Sequence, residues 1–420
     1  MQRIVGILLL WLAALLFALH TRRPLAYNLF YLLTVVIGLS YLWSWANLHW
    51  LRVVRYTPAR RAQVGRVTEE QFEVVNLGRF PKLWLEVRDY STLPGHRASQ
   101  VVNSLKGGAR QRWLVRTLCQ QRGRFRLGPI SIASGDPLGL FRMRRLLPAT
   151  STIIVYPAMV DIPAFSPPAG ELPGGDAMRR RTHYVTTNVA GVRDYAPGDS
   201  FNRIHWRSTA RTGRLIVKEF ELDPTADVWI MLDMHRGTQV AAPWQPMSLD
   251  WGPVVLWRES PRLQLIPSTE EYGVTVAASL AKHFLAQNRA VGFIAHSRRR
   301  ELIQTDRGER QLAKILELLS VLRAQGEIPI AQVIAAEGEH LSRHTMVVVV
   351  TPDADLDWVA AMRYLARRGV RGVAIVVDAS SFGNAPSPDR CVQELLAAGI
   401  PTYRVRRGDR IDAALSQQAR

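Results

Sequence analysis

The chain has 420 residues, 47% of them hydrophobic, which is enough for two or three domains with real cores. Its formal charge is +19, but 49 of the 54 basic residues are arginines scattered along the whole length, so charge alone does not single out a nucleic-acid surface. Its two cysteines, Cys119 and Cys391, supply neither a disulfide framework nor a thiolate metal centre.

Ile4 to Leu19 is an apolar run of 16 residues, and Leu25 to Leu48 is one of 24 with no charged side chain; only His20-Thr21-Arg22-Arg23-Pro24 separates them. At about 1.5 Å per residue these reach roughly 24 Å and 36 Å, against a hydrocarbon core of about 30 Å. Residues 1–50 therefore read as a transmembrane helical hairpin with the lipid bilayer as its partner. A cleaved signal peptide is the rival for the first run, although no small-x-small site follows it. Arg52, Arg55, Arg60, Arg61 and Arg66 after the second run, against Arg22 and Arg23 in the short loop, favour a soluble body on the cytoplasmic side.

Residues 51–160 show short strand-type runs at Gln71–Asn76, Leu83–Asp89, Arg112–Cys119, Phe125–Leu127, Ile130–Ala133 and Thr152–Tyr156, broken by turn residues such as Lys106-Gly107-Gly108. This spacing predicts an all-β domain, a sandwich of immunoglobulin-like size. Pro157 to Gly175 is a Pro/Gly-rich connector, and residues 161–225 read as linker plus a distinctive segment.

That segment, Gly191 to Glu221, reads GVRDYAPGDSFNRIHWRSTARTGRLIVKEFE. Between Arg179 and Lys218 nine Lys or Arg face only two acids, Asp194 and Asp199. Pro197-Gly198 predicts a turn, Asp199 a helix cap, and Arg203, Arg207 and Arg211 one stripe of a helix that ends at Gly213. Phe201 and Ile204 are expected to face a core.

From 226 to 420 strands and helices alternate. Strands are predicted at Ala226–Asp233, Val291–His296, Met346–Val350, Val373–Asp378 and Thr402–Val405, and helices at Tyr272–Gln287, Glu309–Arg323, Leu356–Arg368 and Val392–Ala398. The pattern predicts a doubly wound, mostly parallel sheet. Ligands of such sheets lie beyond the carboxyl ends of the strands, where Asp233, Asp353 and Asp378 stand.

The Gly191–Glu221 segment resembles the signature of the domain-of-unknown-function family 58. The match runs through Arg193, Asp194, Tyr195, Gly198, Asp199, Arg203, Ile204, His205, Trp206, Ser208, Ala210, Arg211, Leu215, Val217, Lys218, Glu219, Phe220 and Glu221, with Thr209 inserted between a serine and an alanine that are usually adjacent. A second block, RGRFRLGP and GDPLGLF from Arg122 to Phe141, resembles the same family. The resemblance implies a membrane-anchored bacterial protein with a von Willebrand factor A-like domain. It also implies association with a MoxR-type AAA+ ATPase and a membrane transglutaminase-like protein.

Members of that fold often bind Mg²⁺ through D-x-S-x-S. This chain has Asp233-Met234-His235-Arg236-Gly237, lacking both serines and carrying an arginine, so strand-end acids that cap helices or pair with arginine are expected instead, with Asp233 and Asp353 as a degenerate metal site. His205, Ser208 and Asp194 or Asp199 can be drawn as a triad, but no nucleophile elbow or oxyanion hole accompanies them. No catalytic residue and no cofactor are therefore expected. The alternative is that Asp194, Asp199, Arg203, Arg211 and Glu219 form an ion-paired network over Tyr195, Trp206 and Phe220. No phosphate-binding glycine motif occurs, and no aromatic platform accompanies the arginine stripe, which argues against nucleic acid. The expected role is protein interaction; an anionic-surface binder, or a hydrolase, is the rival.

Overall fold

The computed structural model describes residues 2–148, 150–165, 189–196, 201, 204–220, 227–246, 264–342 and 345–419. The chain is mixed α/β and divides into two compact units. The first comprises Met1–Met159, Ala241–Ala278 and Ala313–Arg323; the second comprises Val160–Val240, Ser279–Leu312 and Ala324–Arg420.

In the first unit, α1 (Gln2–Thr21) and α2 (Pro24–Leu48) lie side by side. The Trp11 indole donates to the Thr34 hydroxyl at 2.8 Å, and the Trp11 and Phe30 rings are 5.4 Å apart. Pro24 opens α2, where a missing N–H costs nothing. By length and composition α2 can cross a membrane, whereas the apolar part of α1, Val5–Thr21, is shorter.

Ten strands follow: β1 (Leu51–Tyr56), β2 (Arg61–Gln63), β3 (Val67–Asn76), β4 (Lys82–Asp89), β5 (Gln100–Leu105), β6 (Arg110–Leu118), β7 (Gly123–Leu127), β8 (Ile130–Gly135), β9 (Arg142–Leu147) and β10 (Ser151–Tyr156). They pair as β1-β3-β6, β5-β4-β8-β9 and β2-β10-β7. The first two sheets are antiparallel and share one core, to which β3 gives Phe72 and Val74, β4 gives Leu85 and Val87, and β8 gives Ile130 and Ile132. Strict alternation along β3 sends Glu70 inward with Phe72 and Val74.

The second unit begins with part of the expected connector. Ile162 and Phe165 are each 2% exposed, so this stretch is packed rather than free; the rest of the connector lies outside the described residues. Phe165 sits 5.9 Å from Phe284 and 5.0 Å from Tyr403, ring centre to ring centre. Next come β11 (Val189–Asp194), α3 (Trp206–Thr212) and β12 (Ile216–Phe220), with β11 and β12 paired antiparallel.

The remaining elements are β13 (Val228–Leu232), α4 (Thr269–Ala286), β14 (Val291–His296), β15 (Arg300–Asp306), α5 (Glu309–Val321), α6 (Ile330–Gly338), β16 (Met346–Thr351), α7 (Asp357–Arg367), β17 (Arg371–Val377), α8 (Asp389–Ala397), β18 (Thr402–Val405) and α9 (Ile411–Ala414). Six strands form one sheet in the order β15-β14-β13-β16-β17-β18, parallel except for β15. The unbroken valines of β16 are buried along its whole length, as expected for a central parallel strand. Helices α6, α7 and α8 cover one face around Trp358, Met362 and Leu395, against Val347, Val349, Ala374 and Val376.

Candidate functional site

Strands β13 and β16 are neighbours, and the chain leaves them in opposite directions across the sheet, β13 toward β14 and β16 toward β17. A crevice opens beyond the carboxyl ends of such a pair. Asp233 directly follows β13, Thr351 ends β16, and Asp353 lies two residues on.

Asp233 is 3% exposed, and protein donors occupy both its carboxylate oxygens. Its Oδ1 accepts the His235 N–H at 2.8 Å, and its Oδ2 accepts the Thr351 hydroxyl at 2.7 Å and that of Thr238 at 3.4 Å. The Thr351 oxygen in turn accepts the Asp353 N–H at 2.9 Å, and Asp353 Oδ1 accepts that of Asp355 at 2.9 Å. Burial lifts the Asp233 carboxyl to about 6, and the charge of Asp353 adds to the rise while the bonds from His235 and Thr351 oppose it. Asp353 is also raised, again chiefly by burial.

These donors do not suit Mg²⁺. A hard cation requires several free oxygens, whereas both oxygens of Asp233 already accept hydrogen bonds from the protein and its burial disfavours the charged form. Among the described residues no three His, Cys, Asp or Glu side chains come together to hold a metal ion. Arg236 reaches Glu327 at 3.3 Å rather than the carboxylate. Asp378, at the end of β17, pairs with Arg404 at 2.7 Å and Arg406 at 3.4 Å and caps the turn at Ser380, the structural role expected of a strand-end acid.

In the signature segment the helix is shorter than the sequence suggests. It starts at Trp206 with His205 as N-cap, and on it Arg207 and Arg211 are one turn apart. Gly198, Asp199, Arg203 and Glu221 lie outside the described residues. The end at Gly213 is as expected, in the left-handed conformation with φ 70° and its N–H on the Thr209 carbonyl.

Ile204 is buried, but Phe201 is 67% and Trp206 65% exposed, so neither packs as the sequence reading predicts. His205 N–H is tied to the Ile216 carbonyl at 2.7 Å, which lays the short helix along β12, and none of the helix's residues is buried among the described residues. Arg193 donates to the Asp194 carbonyl at 3.0 Å; Asp199, Arg203 and the side chain of Glu219, the other members of the anticipated network around Asp194 and Arg211, lie outside the described residues. Lys218 and Glu219 lie on β12, paired with Val192 and Gly191, and Tyr195 N–H meets the Leu215 carbonyl at 2.8 Å. His205 Nδ1 and the Ser208 hydroxyl are 2.7 Å apart, yet among the described residues no acid orients that imidazole.

The sequence reading missed two buried polar clusters in the first unit. In one, Arg55 Nη2 lies 3.0 Å from Glu70 and 3.1 Å from Asp89, while His96 reaches Asp89 at 3.1 Å and the Thr117 hydroxyl at 2.8 Å. In the other, the fully buried Arg122 lies 2.5 Å from both Glu270 and Glu271 and donates to the Leu322 carbonyl at 2.8 Å. Glu70, in phase with Phe72 and Val74, was the available signal for the first. Arg122 had none beyond opening the second block.

Residues 191–243, which run from β11 past Asp233, match the family described as "Protein of unknown function DUF58". The chain is also 21% identical over 294 residues to the Bacillus subtilis (strain 168) "Uncharacterized protein YeaD", covering 69% of this chain and 65% of that protein, less than two thirds of its length. Among solved structures, the CARDB domain of a Pyrococcus furiosus protein in complex with di-metal ions matches 25% of this chain and 86% of its own, at 20% identity and a TM-score of 0.19. A Listeria innocua beta-glucosidase in complex with gluconolactone matches 25% of this chain and 16% of its own, at 9% identity and a TM-score of 0.18. Likenesses at such scores bear on neither fold nor function.

Proposed function

We propose that the chain is a membrane-anchored protein-interaction or adaptor protein with no chemistry of its own, whose family segment is the docking element. A von Willebrand factor A-like reading of the second unit is supported by the parallel sheet with one antiparallel edge strand and by the acids at its switch point. The immunoglobulin-like reading of the first unit is supported by its two antiparallel sheets on one core. Two helices, α1 and α2, form the anchor, in a bacterial inner membrane with both units on the cytoplasmic side, as the arginine flanks favour. The family resemblance names the partners, a MoxR-type AAA+ ATPase and a membrane transglutaminase-like protein, in an envelope-related assembly.

The observation that carries the interaction role is that α3 buries none of its residues. It holds Trp206 outward beside the exposed Arg207 and Arg211, and tryptophan with arginine is the composition of binding hot spots. Capture of a MoxR-type ATPase by the detergent-solubilised full chain tests this. Trp206→Ala and Arg211→Glu should each weaken capture by about tenfold or more at unchanged melting temperature. Undiminished capture with both variants would refute the docking role.

A further inference from the structure

Helix α2 has 25 residues, about 37 Å at 1.5 Å each, whereas a hydrocarbon core takes about 20 residues. Its last turns belong to the β-rich unit. Ser44 donates to the Phe141 carbonyl at 3.0 Å, Asn47 to the Leu83 carbonyl at 3.3 Å, and the Lys82 ammonium to the Ala46 carbonyl, where a cation suits the helix end. Higher up, the Tyr41 ring meets that of Phe141 edge-on at 5.6 Å. Tyr41 precedes Leu48 by seven residues, so the 136–141 loop reaches about 10 Å back along α2 toward its apolar stretch.

Asp136, 4% exposed, fixes that loop by accepting the Leu138 N–H at 3.0 Å and the Phe141 N–H at 2.6 Å, and leaves Leu138 62% exposed at its tip. Further large apolar side chains stand uncovered around the same helix end: Trp50 at 52%, Leu77 at 64%, Phe80 at 74% and Trp84 at 51%. They share one locality. Leu77 N–H donates to the Trp50 carbonyl at 2.8 Å, Trp50 lies 5.7 Å from Trp45 of α2, and the Phe80 carbonyl accepts from Asn76 at 2.8 Å. Residues 77–84 carry Arg79 and Lys82 and no acid, and the exposed Lys106 adjoins them through its own carbonyl, which accepts from Asn76 at 3.1 Å.

We propose that this end of the unit is a second membrane contact, in which Leu138 and Phe80 enter the boundary between headgroups and acyl chains beside α2 while Arg79 and Lys106 face anionic lipid. The occupant is the bilayer surface, because the patch is continuous with an apolar helix and combines aromatic rings with cations, the composition of an interfacial belt. The GDPLGLF block thereby acquires a role: Asp136 shapes a rigid loop that offers Leu138 to lipid. The inference rests on the reading that α2 spans the membrane.

The test uses the full chain in vesicles of phosphatidylethanolamine and phosphatidylglycerol carrying, in parallel samples, a shallow nitroxide lipid to read positions 138, 80 and 56 and a deep one to read position 32. Fluorescent maleimide is placed at Leu138→Cys or Phe80→Cys, with Leu32→Cys marking the span and Tyr56→Cys, at the far end of β1, as the aqueous control. Cys119 and Cys391 are buried and their thiols pushed up to about 12, so they stay unlabelled. Labels at 138 and 80 should be quenched about threefold more than the label at 56. Equal quenching at 138, 80 and 56 with strong quenching at 32 overturns the lipid contact and leaves the anchor standing. Absence of quenching at 32 overturns the spanning reading, and this inference with it.

Discussion

The hydroxyl of Thr351 donates to Asp233 Oδ2 at 2.7 Å, joining the ends of two adjacent parallel strands across the switch point of the sheet. The bond fills, from within the protein, a position that a ligand could otherwise take. Burial, working against this bond, favours the protonated form of the carboxyl.

Stability of the second unit should therefore fall as pH rises. The folded Asp233 titrates near 6 against an ordinary 3.8, so the folded state holds the extra proton between these values. Its stabilising effect is complete below about 3.8 and lost as pH passes 6. Asp233→Asn should flatten this slope and raise urea stability at pH 7.5 by about 2 kcal/mol, with little difference at pH 3.5. Millimolar Mg²⁺ should leave the native chain's melting temperature unchanged; micromolar binding by calorimetry, lost in Asp233→Ala, would contradict the filled-site account.

The Arg55 cluster predicts an opposite, acid-side dependence for the first unit. Burial pushes Asp89 up, but the bonds from His96 and Ser91 and the charge of Arg55 outweigh it and leave the carboxyl below its usual range. Its contribution is present above about pH 4 and disappears as pH falls through the lowered value. Arg55→Met strands Glu70 and Asp89 without their cation and should cost about 3–5 kcal/mol, read as a lower urea midpoint. A change below 1 kcal/mol would show that the cluster does not depend on its guanidinium.

Arg122 presents a similar case at a position the family-like block singles out. Arg122→Met removes a guanidinium between Glu270 and Glu271 and should destabilise the first unit by about 3 kcal/mol. Arg122→Lys should recover less than half, since a single ammonium cannot reach both acids and the Leu322 carbonyl together. Equal stability of the Lys variant and the native chain would mean that charge, not the planar fork, is what matters.

Position in the sheets explains most of the strands that sequence reading misses, although the edge strands β6, β7 and β18 are legible. Val-rich β16 and the alternating β3 and β4 declare themselves because one or both faces are buried. Strands β1, β2, β5, β9 and β15 went unseen, and every one lies at a sheet edge, where solvent tolerates sequences such as RMRRLL and RELIQTD that carry no apolar period. Helix α6 was hidden by its brevity, nine residues opened by Pro329.

At the candidate site the acids Asp233 and Asp353 were legible because they end apolar runs. Thr351 was not, since its role depends on register between strands 118 residues apart. In the signature segment composition suggested a packed helix. The exposure of Trp206 accompanies a backbone bond from His205 to Ile216, which no residue type announces.

The reversed strand β15 has an effect on how copies of this chain meet one another. It carries Arg300, which pairs with Glu337, together with Glu301 and Asp306, and the opposite edge, β18, is four residues long and carries Arg404 held to Asp378. A neighbouring chain that tried to extend the sheet would meet charged strand ends on one side and too short a template on the other. These two rims oppose the joining of neighbouring sheets.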